Sequence, residues 1–534
     1  MADVSVRFEP GGATVSVPKG STIHEAAAEA GVVIAAPCGG LGRCGSCRVR
    51  ASGDVRAPGP SELDAVGAAV TRGVRLACLA RVDGPSEVVV ERIGGAGALR
   101  IVTSGPEVPA DVEPPEARGI VCPPGVRPIG AAVDIGTTTL AVRLHDLRDG
   151  VPLGESASLN PQTAYGHDVL TRVSRALGGD AHRLREGVAR GIETLVTGLV
   201  ERPSLAQASL CEVVVVGNPT MTHLFLGRDV TPLAVSPNTG ALIDAVETDA
   251  ASADLPLLGE ARVTVGPAVS AFVGADAVAA LLATGIADRE DPTLLIDLGT
   301  NGEVVLAAGG VLLATSAAAG PAFEGAGITS GMRAESGAIE RVWLDDAYGL
   351  SYTTVDDGPA AGLCGSGLLD AVAALLTAGA LDATGRLQPA GSLADRVYDT
   401  RDGRHVQIAP GVSLTQNDIR QLQLAKAAVQ VALEVLVAEA GLEPDDVREV
   451  VVAGGFGAHL RPASLAALGV IPHDWAARVT FAGNAALTGA SMMLLSRDAR
   501  HRASELARSA RTMPLAERAD FQPRFLGALD FPAT

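Results

Sequence analysis

Cys38, Cys44 and Cys47 lie in PCGGLGRCGSC, residues 37–47, in a C-x5-C-x2-C spacing, and Cys78 follows in RLACLARV. Thiols so placed can pair as disulfides, hold zinc, or hold a redox-active iron–sulfur cluster. Structural zinc usually takes two close pairs of ligands. Here three cysteines share one loop and the fourth comes alone, with 30 residues between it and Cys47. That arrangement suits a cluster gripped at one edge. Bridging sulfides need backbone N–H donors nearby, and Gly39, Gly40, Gly42 and Gly45 let the chain wrap tightly enough to supply them. The reading without chemistry is a glycine-rich turn with core cysteines.

A second chemistry-bearing pattern occurs twice. Asp134-Ile135-Gly136-Thr137 ends the apolar run IGAAVD, and Asp297-Leu298-Gly299-Thr300 ends TLLID. Each reads as strand, tight turn, strand. A glycine turn brings backbone N–H groups up to an anion, threonine hydroxyls add donors, and a strand-end aspartate can hold a hydrated Mg²⁺. Two such hairpins, each heading a lobe-sized stretch, can grip a polyphosphate from both sides. A Walker-A loop is excluded, because Lys19 and Lys426 are the only lysines and neither follows the required glycines. A third piece, EVVVAGGFG at 449–457, runs a strand into Gly454-Gly455, where a flat base can lie against backbone.

The elements that position these residues are legible. VSVRFEP and ATVSVPKG alternate as strands. STIHEAAAEAGV reads as a helix with Ser21 or Thr22 as N-cap and Gly31 at its C-terminal end. The apolar run 304–323 has Gly309-Gly310 at its centre and reads as a hairpin rather than a membrane span. NDIRQLQLAKAAVQVALEVLVAEAGL reads as a long helix capped by Asn417. Residues 103–128 contain seven prolines and four acids without apolar periodicity, which predicts a semi-rigid spacer. A reach of up to roughly 80 Å would leave the first domain mobile.

With 534 residues, more than one core is expected. A formal net charge of −19 argues against nucleic acid and anionic membranes as partners. MADVSVRFEP has no basic-then-apolar signal pattern, so the expected compartment is the cytoplasm, where a disulfide is disfavoured. Arg43, Arg48 and Arg50 beside the cysteine loop form either a docking rim for an acidic redox partner or ordinary solvated arginines.

The CGGLGRCGSC…RLACLA pattern resembles the 2Fe–2S ferredoxins, with five rather than four residues between the first two cysteines. The resemblance implies Cys38, Cys44, Cys47 and Cys78 as iron ligands. The two Asp-x-Gly-Thr hairpins and the late glycine pair resemble the superfamily of acetate and sugar kinases, heat-shock chaperone ATPases and actin. It implies that Asp134, Gly136, Thr137, Thr138, Asp297, Gly299, Thr300, Asn301, Gly454 and Gly455 line an ATP site with Mg²⁺, the two aspartates acting in catalysis. Glu303 either orients a water or is a strand-end acid. Cys122, Cys211 and Cys364 carry no assigned chemistry.

The order of modules is that of the reductive activators of corrinoid-dependent proteins. GNPTMTHLFLG, AFVGADAVAA, GPAFEGAGITSGM, LCGSGLLDAVAALL and TQNDIRQLQLAKAA also fit that family's pattern. The resemblance implies a multidomain chain. Residues 1–100 form an α+β β-grasp ferredoxin, 101–128 a proline-rich linker, and 129–534 a two-lobed α/β RNase-H-like ATPase. The implied activity is ATP-dependent return of a corrinoid cobalt from Co(II) to Co(I), with a corrinoid protein or methyltransferase and an electron-donating reductase as partners. A plant-type centre sits near about −400 mV, each ~59 mV uphill costs a factor of ten, and a nucleotide switch of ~5.5 kcal/mol offsets roughly 200 mV. Pairing of two copies stays open. So do a small-molecule kinase with a redox-sensing ferredoxin, an activator of another radical enzyme, and a plain electron carrier.

Overall fold

The computed structural model describes residues 3–32, 34, 40, 42, 47–90, 102–108, 112–236, 238, 240–401, 403–455 and 459–532. Cys38, Cys44 and Arg43 lie outside them.

Alternate residues of Asp3–Glu9 are buried, as the alternation predicts. This strand pairs antiparallel with Ala13–Pro18 and parallel with Val82–Val89, and Arg48–Val55 and Val74–Leu76 complete a five-stranded sheet. Val6, Phe8, Ile23, Val49, Leu76 and Val88 fill its core. The helix Ile23–Glu29 starts at Thr22, whose side chain bonds the Glu25 N–H while Glu25 bonds back. Glu62 is buried here. It takes both ends of the Arg75 fork at 2.8 and 2.9 Å and the Leu76 N–H at 2.9 Å.

The rest forms two lobes with one strand plan. In the first, Arg127–Ile135 pairs antiparallel with Thr139–Asp146 and parallel with Ala208–Gly217 in a six-stranded sheet. In the second, Thr293–Leu298 pairs antiparallel with Gly302–Ala308 and parallel with Glu449–Ala453, again within six strands. The internal repeat read from the two Asp-x-Gly-Thr motifs is thus a repeat of sheet topology. Gly309 and Gly310 make the expected hairpin turn, both at positive φ.

Between the lobes lie the helices Ala275–Thr284 and Ala485–Leu495. Their side chains share one core with Ala132 and Val214 of the first sheet and Leu295 and Val305 of the second. They touch backbone to backbone, since a Cβ on Gly489 would stand 2.0 Å from the Ala279 carbonyl oxygen. The long helix Gln416–Glu439 has the length and apolarity to cross a bilayer, yet its stripe is packed into the second lobe's core. Its cap is Thr415 rather than Asn417. Asp418 sits at the third helical position and completes a capping box that Asn417 cannot.

The proline-rich stretch differs from a free spacer. Thr103 O accepts from Arg143 at 2.6 Å, and Ser104 O accepts from the Asn484 N–H at 2.8 Å. Glu113 accepts from Ser496 Oγ and the N–H groups of Arg497 and Asp498, and Arg118 is buried. Residues 102–108 and 112–126 therefore lie strapped along the lobes. Proline removes helix and strand options but leaves carbonyl acceptors, and distant side chains take them up. The small domain also meets the first lobe. The rings of His24 and Tyr165 stand edge to face at 6.5 Å, and Glu25 lies 3.9 Å from Arg183.

Candidate functional site

The two hairpins face each other across a cavity of about 210 Å³. Asp134, Gly136, Thr137, Thr138, Asp297, Gly299, Thr300, Asn301, Gly454 and Gly455, all expected there from sequence, line it together. Glycine is required at two of them. A Cβ on Gly136 would meet the Thr139 carbonyl oxygen at 2.9 Å, closing the turn. Gly454 has φ +94°, and a Cβ there would meet Asp297 Oδ1 at 2.4 Å.

Buried polar residues hold the first hairpin rigid. Asn160 donates to Gly136 O at 2.8 Å, Arg172 donates to Thr137 O, and Asn218 donates to Thr137 Oγ1 at 3.0 Å. Arg172 is fully buried. Asn218 also caps the helix Pro219–Phe225, which explains why GNPTM has that sequence. Asn484, cap of the helix Ala485–Leu495, donates to Asp134 Oδ2 at 3.0 Å.

Glu324 joins the lobes. Thr138 Oγ1 donates to it at 2.5 Å and Thr300 Oγ1 at 3.3 Å. Asp276, Glu324, His167, Arg333, Asn218 and Asn484 are site residues to which sequence reading gave no role. Asp276 stands in AFVGADAVAA and Glu324 in GPAFEGAGITSGM, stretches noticed only as family pattern. A lone acid in a glycine-rich stretch carries no spacing that declares its chemistry.

Five carboxyl groups stand together on the wall of this cavity, Glu303 buried and Asp134, Asp276, Asp297 and Glu324 half-buried. Burial lifts Asp134 to about 6, against the bond from Asn484. Burial, then repulsion from Asp134 and Glu324, lifts Asp297 to about 7. Burial, then Asp297 and Asp134, lifts Asp276 to about 8. Glu303 is pushed well above the usual range by burial and then by Asp276 and Asp297, and Glu324 is raised by burial. Glu303 lies directly across the ladder from Asp297, hence on the same face, and accepts from Ser316 at 3.3 Å. Among the described residues no three acids stand close enough to ligate one metal ion directly, so a hard cation here would have to keep its waters.

Among the described residues, Arg333 is the one arginine or lysine lining the cavity. Burial lowers its pKa, with Glu324 and Glu335 opposing. His167 is held neutral, at about 3, by burial and then by Arg333 and Arg172. Its Nε2 is buried with no hydrogen-bond partner among the described residues.

In the small domain Cys47 and Cys78 are buried with their sulfurs 3.3 Å apart. A tetrahedral metal with bonds of about 2.3 Å to each of two sulfurs sets them about 3.8 Å apart, so one shared iron would part this pair by about half an ångström. The hydrogen bond to Cys78 holds the Cys47 thiol down to about 7 against burial. Thiolate character is what an iron ligand needs. Gly42 must be glycine, since a Cβ would strike Leu79 at 2.7 Å. Of the basic rim, Arg48 donates to Ala65 O at 2.9 Å. Cys364 donates to Ile339 O at 3.3 Å and lines the cleft. Burial, and then the neighbouring Cys122, raise the Cys211 thiol to about 12.

Fold and cleft define an iron–sulfur ferredoxin joined to a two-lobed ATPase of the acetate kinase, chaperone and actin type. Family models match residues 6–83 as a 2Fe-2S iron-sulfur cluster binding domain, 129–289 as the RACo middle region, and 291–534 as the C-terminal ASKHA domain of RACo. The chain belongs to the RACo family, with a 2Fe–2S domain and an ATP-binding cleft. A solved structure named as a reductive activator for corrinoid, iron–sulfur protein is 28% identical, with a TM-score of 0.70 over 99% of this chain and 98% of its own. The corrinoid activation enzyme RamQ of Eubacterium limosum is 33% identical over 385 residues, 69% of this chain and 64% of its own length. A Co(II) methylated amine-specific corrinoid protein reductase of Methanosarcina barkeri is 26% identical over 399 residues, 69% of this chain and 70% of its own. The match thus spans just under two thirds of the first of these curated relatives.

Proposed function

We propose that this protein reactivates a corrinoid protein or methyltransferase by returning its cobalt from Co(II) to Co(I), with ATP driving the electron uphill. One observation carries the reading: a single chain carries both a buried cysteine pair and an ATP cleft, and is similar over nearly its whole length to a reductive activator. Cys38, Cys44, Cys47 and Cys78 hold the cluster, which supplies a one-electron carrier fed by a separate reductase. The setting is the cytoplasm, where Cys122 and Cys211 stay reduced.

In the cleft, Thr137, Thr138, Thr300 and Asn301, with the N–H groups of both turns, bind the phosphates. Asp134 and Asp297 would hold a hydrated Mg²⁺ through its waters, and a dication there would favour the ionised forms that burial disfavours. Asp276 accepts a proton from the attacking water, with Glu303 beside it; a carboxylate titrating near neutrality is suited to that task. Arg333 stabilises the charge that develops on the transferred phosphoryl group. Glu324 yields Thr138 and Thr300 to the nucleotide, so occupancy is felt in both lobes at once.

The test is anoxic. Reduced protein is mixed with a Co(II) corrinoid protein, and Co(I) is followed by visible absorbance with and without Mg-ATP. Faster or more complete reduction with Mg-ATP is expected. Equal reduction in both overturns the coupling.

A further inference from the structure

A second cavity, of about 250 Å³, opens away from the cleft, where the strap, the first lobe's sheet and the helix Arg497–Ser509 meet. Its lining is basic in a chain of net charge −19. Arg262 and Thr264, two apart on the strand Arg262–Val265, share one face. Arg497, Arg500, His501 and Ser504 have the spacing of one helix face opposite it. Arg118 reaches in from the strap.

The charges do not balance. Glu212 is fully buried, and Arg262, Arg500 and Arg118 all bond it, Arg262 and Arg500 at 2.8 Å and Arg118 at 3.3 Å. Three guanidiniums on one carboxylate leave two positive charges. Arg497 has its own partner in Glu113 at 3.5 Å, and Glu247, exposed at the rim, offsets one charge at most. Two polar atoms of residues that line the cavity are also buried with no hydrogen-bond partner among the described residues: Arg118 Nη2 and Thr264 Oγ1. Their side chains belong to residues 4% and 5% exposed. A buried, unpaired donor beside unbalanced positive charge lacks an acceptor that carries negative charge.

We propose that this cavity is a binding site for a small oxyanion of one or two negative charges, the oxygen chemistry shared by phosphate and carboxylate groups, held by Arg118 Nη2 and Thr264 Oγ1. Binding there ties the strap, the first lobe and the helix Arg497–Ser509 to one ligand. The site is separate from the nucleotide cleft and stands whether or not the protein acts on a corrinoid.

The test uses the full chain with its cluster, its cleft filled by a non-hydrolysable ATP analogue and Mg²⁺. Isothermal titrations with sodium phosphate and sodium acetate run at fixed ionic strength, with chloride as control. Saturable binding of one equivalent of either anion, with a Kd below ~1 mM, is expected. The arm that binds tells phosphate from carboxylate. Thr264→Val weakens it about 10-fold or more, the loss of one charge-assisted bond, while Thr264→Ser retains it. In anion-free buffer Thr264→Val keeps or raises the Tm, because it removes an unpaired buried hydroxyl. No saturable binding of either anion below ~10 mM, or equal binding by Thr264→Val and the natural chain, overturns the proposal.

Discussion

Asp276→Asn tests the reading that the cleft holds a crowd of mutually repelling acids for the sake of chemistry. Asp276 titrates near 3.8 when solvated and about 8 in the fold. A carboxyl raised in this way supports the native state only while protonated. Its contribution is complete below the unfolded pKa and is lost as pH rises through the folded one. Between those limits the natural chain loses ~1.4 kcal/mol of unfolding free energy per pH unit from this group. Asparagine has the shape of the protonated acid and never ionises. The stability of Asp276→Asn relative to the natural chain should therefore grow by roughly 2–3 kcal/mol from pH 5.5 to 7.5. Easing of Glu303, which Asp276 repels, acts in the same direction. Urea unfolding of nucleotide-free protein in EDTA at both pH values, followed by circular dichroism, measures the difference. The same variant should lose ATP hydrolysis by ~10²-fold or more, the usual contribution of a positioned base. A stability difference independent of pH, or unchanged turnover, refutes the reasoning.

Arg333→Ala should slow ATP hydrolysis by ~10²–10³-fold while ADP affinity changes little, and added guanidinium should restore part of the rate; a variant that guanidinium leaves unaltered contradicts a charge-stabilising role. Glu62→Ala strands Arg75 in the small domain's core, and heating should bleach the cluster's visible absorbance earlier, with a loss of ~3–5 kcal/mol. Cys78→Ser should abolish that absorbance and the iron content while leaving nucleotide binding to the cleft, measured by titration. Gly489→Ala forces a methyl against the Ala279 carbonyl and should destabilise the paired helices by ~1–3 kcal/mol, read as a lower Tm of the ATPase lobes.

Local chemistry with strict geometric demands was legible in the sequence. The alternation of Asp3–Glu9, the Gly309-Gly310 turn and the two Asp-x-Gly-Thr hairpins each follow from period or backbone freedom. Their convergence on one cavity follows from the repeated strand plan. Residues whose role exists only through partners far along the chain were not legible. Glu324 matters because Thr138 and Thr300 meet there, and Asp276 because Asp134 and Asp297 lie close. The strap shows the same limit: nothing in TSGPEVP announces that Arg143 and Asn484 will claim its carbonyls. At the long helix the sequence pointed to Asn417 as the cap, whereas Thr415, with an acid three positions on, holds that place.

Asn484 is held from both sides. Its amide side chain bonds Asp134 at the phosphate end of the cleft, and its backbone N–H bonds Ser104 on the segment that leads back to the iron–sulfur domain. Gly105 is pressed so close that a Cβ there would lie 2.6 Å from the Asn484 carbonyl. There is no slack at this knot. Any shift of Asn484 that follows a change at Asp134 must carry Ser104 with it or break the bond, and so pull on the segment that joins the two domains.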